Sequence, residues 1–122
     1  PRDATAAAGR KAALMVVGVN TIAIANDLFK EGKFEPALEL YARVDESQLN
    51  DPTLYGYANN KGALLMRLSR YAEALAYFDL ALEKQPDSLE AAYNKGIALR
   101  SLGRSREALQ AYGLVTAVEP DH

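Results

Sequence analysis

The stretch "GYANNKGALLMRLSRYAEALAYFDLALEKQPD", residues 56–87, returns in altered form as "EAAYNKGIALRSLGRSREALQAYGLVTAVEPD", residues 90–121. Both copies hold the tripeptide Asn-Lys-Gly, at 60–62 and at 94–96. Asn and Gly tolerate positive backbone φ and ordinarily mark turns, yet each tripeptide is embedded in a run with helical spacing. The shift that lays Asn60 on Asn94, 94 − 60 = 34, also lays Leu65 on Leu99, Glu73 on Glu107, Ala74 on Ala108, Leu75 on Leu109 and Pro86 on Pro120. The tripeptide therefore marks a period.

A third, weaker copy lies upstream. Leu28 corresponds to Leu65, Gly32 to Ser69, Phe34 to Tyr71, Ala37 to Ala74 and Tyr41 to Phe78, a shift of 65 − 28 = 37. The excess, 37 − 34 = 3, falls in the connection "DESQLNDPT". Apolar residues in each copy form two helical blocks with a short break between them. The blocks run roughly 52–68 and 70–85 around Ser69, and roughly 88–102 and 106–118 around Gly-Arg-Ser at 103–105. Asp51-Pro52 reads as a helix start, with Pro at the first helical position. Asp87-Ser-Leu-Glu90 resembles a capping box. Each copy is thus a helix-turn-helix hairpin.

With Gly62, Leu65, Ala74, Phe78 and Pro86 in one copy, and Gly96, Leu99, Ala108, Tyr112 and Pro120 in the next, the chain resembles the tetratricopeptide repeat family, whose unit has this same period. The resemblance covers residues 18–122. It sets repeat one at 18–51, an insertion at 52–54, repeat two at 55–88 and repeat three at 89–122, with 1–17 as a helical extension or cap. It implies an all-α fold, a right-handed α-solenoid of hairpins whose first helices line a concave groove. The chain departs from the family pattern at Thr21, Ala58 and Ala92, where an aromatic is usual, and at Lys61 and Lys95, where an apolar residue is usual. Ala25 replaces the glycine of repeat one, and Ser105 the aromatic seen as Phe34 and Tyr71.

Gly inside a helix costs about 1 kcal/mol relative to Ala, so Gly62 and Gly96 must bring a compensating gain. Close approach of the second helix through Phe78 and Tyr112 is the expected one. Residues 1–17 fall outside the repeat, but Ala7, Lys11, Leu14, Gly18, Ile22, Ala25 and Phe29 follow a 3.6-residue stripe. Helix is expected from about Ala4 to Glu31 despite the β-branched run at 15–24, with a bend at Gly9 or Gly18. At the other end, the family's usual closing polar helix does not follow the last repeat. Leu109, Leu114, Val115 and Val118 are then expected to meet either further helix or another chain.

At 122 residues the chain can bury roughly two thirds of its unfolded surface. Its 49% hydrophobic and 25% charged content is that of a globular protein. The net charge of −2 offers no long-range attraction to nucleic acid or anionic membrane, so neither is expected as a partner. The most apolar stretch, 12–25, is broken by Asn20 and Thr21 and is shorter than the roughly 20 residues that span a bilayer.

No cysteine is present, and the sole histidine is His122, so nucleophile-base pairs and most transition-metal sites lack their parts. No enzyme activity and no cofactor are expected. The family's groove instead suggests a protein or peptide partner held by side chains of the first helices: Asn26, Asn60 and Asn94, whose amides offer donor and acceptor to a peptide backbone, flanked by Asn59 and Tyr93. Lys30, Arg67 and Arg100 add cations near the ends of those helices, where they also complement the helix dipole.

Relatives that clamp the acidic C-terminal tails of chaperones use Lys-x-x-x-Asn, then Asn, then Lys-x-x-x-Arg at successive repeats. This chain has Ile22 with Asn26, then Asn60, then Glu90 with Asn94. Its clamp cations are gone, and that function is rejected. The expected role is an interaction module or scaffold that captures an extended or helical segment. The alternatives are a type III secretion-type chaperone, dimerising through residues 1–17, and a recruiting domain of a larger protein; self-association through the N-terminal helix or the uncapped last repeat is a separate expectation.

Overall fold

The computed structural model describes the backbone of residues 2–118 and the side chains of 6–113, 115 and 116. The expected closing residues Pro120 to His122, and the side chains of Leu114 and Val118, lie outside the described residues. The elements are α1 (Arg2–Lys30), α2 (Phe34–Ala42), a single 3₁₀ turn (Glu46–Gln48), α3 (Asp51–Arg67), α4 (Tyr71–Lys84), α5 (Leu89–Ser101) and α6 (Ser105–Val118). Among the described residues there is no strand, and the fold is all-α.

The chain forms two compact units, 1–54 and 55–122. In the first, α1 packs on α2 and on the 3₁₀ turn. The extension and the first repeat helix are one continuous element of 29 residues. Within its β-branched run Thr21 donates its hydroxyl to the Val17 carbonyl four residues back, at 2.8 Å, which satisfies that hydroxyl inside the helix. Full burial begins only at Gly18, then takes in Ile22 and Ala25, while Ala7, Lys11 and Leu14 on the same stripe stay exposed. Continuity also corrects the length argument: Ala6–Lys30 is long and apolar enough, by length and composition, to cross a membrane, and only 11% of its most apolar window is buried.

Two helix starts also differ from expectation. Asn50, not Asp51, caps α3: its side-chain oxygen accepts from the Thr53 N–H at 3.0 Å and its carbonyl from Leu54 at 2.8 Å. Asp51 and Pro52 are therefore the first two helical residues, and 52–54 is helix; the extra length lies in the connection before it. Ser88 caps α5 by accepting from the Ala91 N–H at 3.1 Å. The third helical position is therefore Ala91, and no reciprocal Glu completes a box.

The three hairpins turn the same way. Gly32, Ser69 and Gly103 hold φ of +79°, +59° and +77°, and their N–H groups donate to Phe29, Met66 and Arg100 carbonyls. The next residues, Lys33, Arg70 and Arg104, donate to Leu28, Leu65 and Leu99. These paired bonds form a Schellman motif, which satisfies the last carbonyls of a helix when one residue adopts the left-handed region. Lys33, Arg70 and Arg104 then accept from Ala37, Ala74 and Ala108, opening the second helix of each hairpin.

In the second unit α4 packs on α5 and α5 on α6. A Cβ built on Gly62 would stand 2.6 Å from the Phe78 ring, and one on Gly96 2.4 Å from the Tyr112 ring. Carbon contacts settle at about 3.5–4.0 Å. The missing side chain is therefore what lets each second helix lie against its first, and the tripeptide is helix throughout. In the first unit Ala25 and Tyr41, which stand at the corresponding positions, are both fully buried.

Candidate functional site

The residues expected to bind fall into three environments. Lys30, Arg67 and Arg100 are exposed on the last turns of α1, α3 and α5. Asn26, Asn60 and Asn94 are half-buried. Tyr93 is 52% exposed and leans on Tyr112, ring centroids 5.8 Å apart. On α3, Asn60 and Arg67 are two helical turns apart and so share a face, as do Tyr93 and Arg100 on α5.

Asn59 is placed differently from expectation. It is only 5% exposed, and its side-chain carbonyl accepts from the Asn94 amide at 3.2 Å. A buried polar group left without a partner costs about 1–3 kcal/mol, so this bond between α3 and α5 is structural. Asn59, expected to flank the groove, is held inside the stack by this bond, and Asn94 cannot be replaced without disturbing it. Asn26 is likewise engaged: Tyr41 donates its hydroxyl to the Asn26 side-chain oxygen. Burial pushes the Tyr41 phenol up to about 12.

The structure also accounts for the lysines that break the family pattern. The Lys61 ammonium lies 4.5 Å from the centre of the Tyr77 ring and donates to the Tyr57 hydroxyl at 3.2 Å. Lys95 pairs with Asp79 at 2.7 Å. Each stem can lie on apolar surface while the ammonium keeps a partner. No spacing in the sequence signals these contacts as a set, because most of them cross from one helix to another.

Arg70 and Arg104 grip Glu73 and Glu107 through two nitrogens each, at 2.7–2.9 Å and 2.6–2.8 Å. They belong to the start of each second helix more than to the end of the first. The arginine hydrogen bonds hold both carboxyls below the usual carboxylate range, with the arginine charges adding to the effect. Among the described residues no cluster of three metal-capable side chains occurs, and no buried side-chain polar atom lacks a hydrogen bond.

The family model of the tetratricopeptide repeat matches residues 59–120, which is half of the chain and includes both close-packed glycines. The chain belongs to the tetratricopeptide repeat family. Among solved structures, it resembles the second such domain of Spaghetti (RPAP3) bound to the HSP90 peptide SRMEEVD. Identity is 25% and the TM-score 0.73, over 82% of this chain and 84% of that one. The first domain of the same protein, bound to the same peptide, is 23% identical with a TM-score of 0.75, over 88% and 83%. MamA from Desulfovibrio magneticus RS-1, solved from residue 41 to its end, is 18% identical with a TM-score of 0.76, and the likeness covers 86% of this chain but 58% of that one. No curated protein matches in sequence.

In this tetratricopeptide repeat chain the two positions read as lacking clamp cations differ in exposure. Ile22 is buried, and Glu90 is exposed with its carboxylate in the first turn of α5.

Proposed function

We propose that this chain is a protein-interaction module that captures an extended, acidic segment of a partner on the first-helix faces of its second unit. The carrying observation is the pairing of half-buried amide with exposed cation on one face of α3, Asn60 with Arg67, together with the exposed Tyr93 and Arg100 on one face of α5. An amide pairs with peptide backbone whatever its side chains, the cations favour carboxylates, and a partly exposed aromatic supplies contact area. The family's peptide-binding members support the class of partner. With Ile22 and Glu90 in place of cations, the preferred segment is internal and not a free carboxyl terminus.

The test follows from which residues are structural. Since Asn94 supports Asn59, the informative variant is Arg67→Glu with Arg100→Glu, both exposed. A partner recovered from native lysate and mapped to a peptide should bind the wild type and lose most of its affinity for the double variant, with the same circular dichroism. Equal binding would refute the reading, as would tight binding of the peptide SRMEEVD.

A second reading rests on α1. Leu14, Val16, Val17, Val19 and Ile24 are exposed on it, and exposed apolar patches mark association surfaces. Self-association through this helix predicts a dimer in analytical ultracentrifugation that Val16→Glu with Val17→Glu returns to monomer. A monomeric wild type at all concentrations removes it.

A further inference from the structure

Two equivalent lysines of the second unit live in different surroundings. Lys61 and Lys95 stand one period apart, each immediately before its glycine. Lys61 is covered by aromatics: its ammonium lies 4.5 Å from the Tyr77 ring centre and 5.5 Å from that of Tyr57, and the two rings meet edge to face at 6.2 Å. Moving one period along turns Tyr57 into Ala91 and Tyr77 into Ala111. Both rings are lost. Lys95 instead meets the Asp79 carboxylate, and beside it opens a cavity of about 310 Å³ walled by Ala92, Leu99, Glu107, Gln110 and Ala111.

The preceding repeat shows what belongs there. Ala58, the equivalent of Ala92, sits in a buried cluster with Ala81 and Ala91, and Tyr77 packs against that cluster. The last repeat keeps one alanine of that cluster, Ala92, and the same lysine, with Val115 at the position of Ala81 and no ring. We propose that it is a binding pocket for one aromatic side chain, a tyrosine presented by a partner polypeptide, whose ring lies against the Lys95 ammonium as Tyr77 lies against Lys61.

The chemistry of the walls fits that occupant. A cation over an aromatic face is attracted by the ring's quadrupole, and the Asp79 carboxylate at 2.7 Å anchors the Lys95 ammonium at the cavity. Alanine and leucine supply apolar contact to the ring's faces, while Glu107 and Gln110 offer hydrogen-bond partners to a phenol hydroxyl. An apolar cavity of about 150 Å³ takes a benzene ring, so one of about 310 Å³ has room for a whole tyrosine side chain. The pocket is independent of the α3 and α5 polar faces, and the two readings stand or fall separately.

The probe is N-acetyl-tyrosinamide titrated into the isotope-labelled chain, with N-acetyl-leucinamide as control, read by amide chemical shifts. Saturable shifts are expected at Ala92, Lys95 and Ala111 with the tyrosine derivative alone. Ala111→Tyr should fill the pocket, abolish those shifts and raise Tm. Tyr77→Ala should open the matching pocket and add a second set of shifts around Lys61. Lys95→Met keeps the apolar stem and should weaken binding about two- to fivefold. Absence of shifts, as when another stretch of chain or a second copy already fills the cavity, overturns the proposal. So do equal shifts with the leucine derivative, or shifts that persist in a folded Ala111→Tyr.

Discussion

Replacing Gly62 with alanine sets two effects of known sign against each other. Helix propensity favours alanine by about 1 kcal/mol. Against it, the new methyl would stand 2.6, 2.9 and 3.0 Å from three atoms of the Phe78 ring, roughly 1 Å inside ordinary carbon contact. Phe78 is fully buried and cannot swing out to solvent. Overpacking of that kind costs about 1–3 kcal/mol. An approach of 2.6 Å to a ring that cannot move takes the upper part of that range, about 2–3 kcal/mol, so the net expectation is a loss of about 1–2 kcal/mol for Gly62→Ala.

At Gly96 the same methyl would come still closer to Tyr112, 2.4 Å, but that ring is half-exposed on the last described helix and can swing outward. Gly96→Ala should therefore be near neutral. Urea denaturation of both variants measures the contrast, and a cycle with Phe78→Leu isolates its cause. Once the ring is gone, Gly62→Ala should stabilise that background by up to about 1 kcal/mol. A Gly62→Ala protein as stable as wild type, or the same loss with and without Phe78, would refute the close-packing account.

Three further outcomes are expected. Ser69 holds φ +59° where the other hairpins use glycine; an L-residue there costs about 1–2 kcal/mol, partly offset by glycine's greater unfolded entropy, so Ser69→Gly should raise stability by about 0.5–1 kcal/mol in urea. Because the Tyr41 phenol is raised from 10.0 to about 12 by burial, its contribution is complete below pH 10 and lost as pH rises through 12. Wild-type stability measured relative to Tyr41→Phe should then fall by about 1.4 kcal/mol per pH unit across that window. Glu73 and Glu107 titrate below their ordinary range, so their pairs stabilise above the usual carboxylate range and lose that effect as pH falls through the lowered values. The Tm gap between wild type and Glu73→Gln with Glu107→Gln should be open at pH 7 and closed in acid.

The sequence by itself determined the period, the hairpins and the packing glycines, because these depend on residues that recur at fixed separations along one chain. Gly62 precedes Phe78 by the same interval at which Gly96 precedes Tyr112, and that repetition already states that two helices must approach there. The breaks between paired helices at Ser69 and Gly103 were equally legible, while the left-handed φ at Gly32, Ser69 and Gly103 belongs to the structure. Tertiary structure decided what the polar side chains do. Asn59 and Asn60 are adjacent in sequence, yet one is buried against Asn94 and the other half-exposed, since about 100° of helical rotation separates neighbours. The ring of Tyr77 over Lys61 and the carboxylate beside Lys95 come from other helices and carry no fixed spacing, and the cavity by Lys95 is lined by Ala111 where the preceding repeat has Tyr77. Helical periodicity fixes which side of a helix a residue occupies; only the neighbouring helix fixes whether that side meets solvent, a ring or another amide.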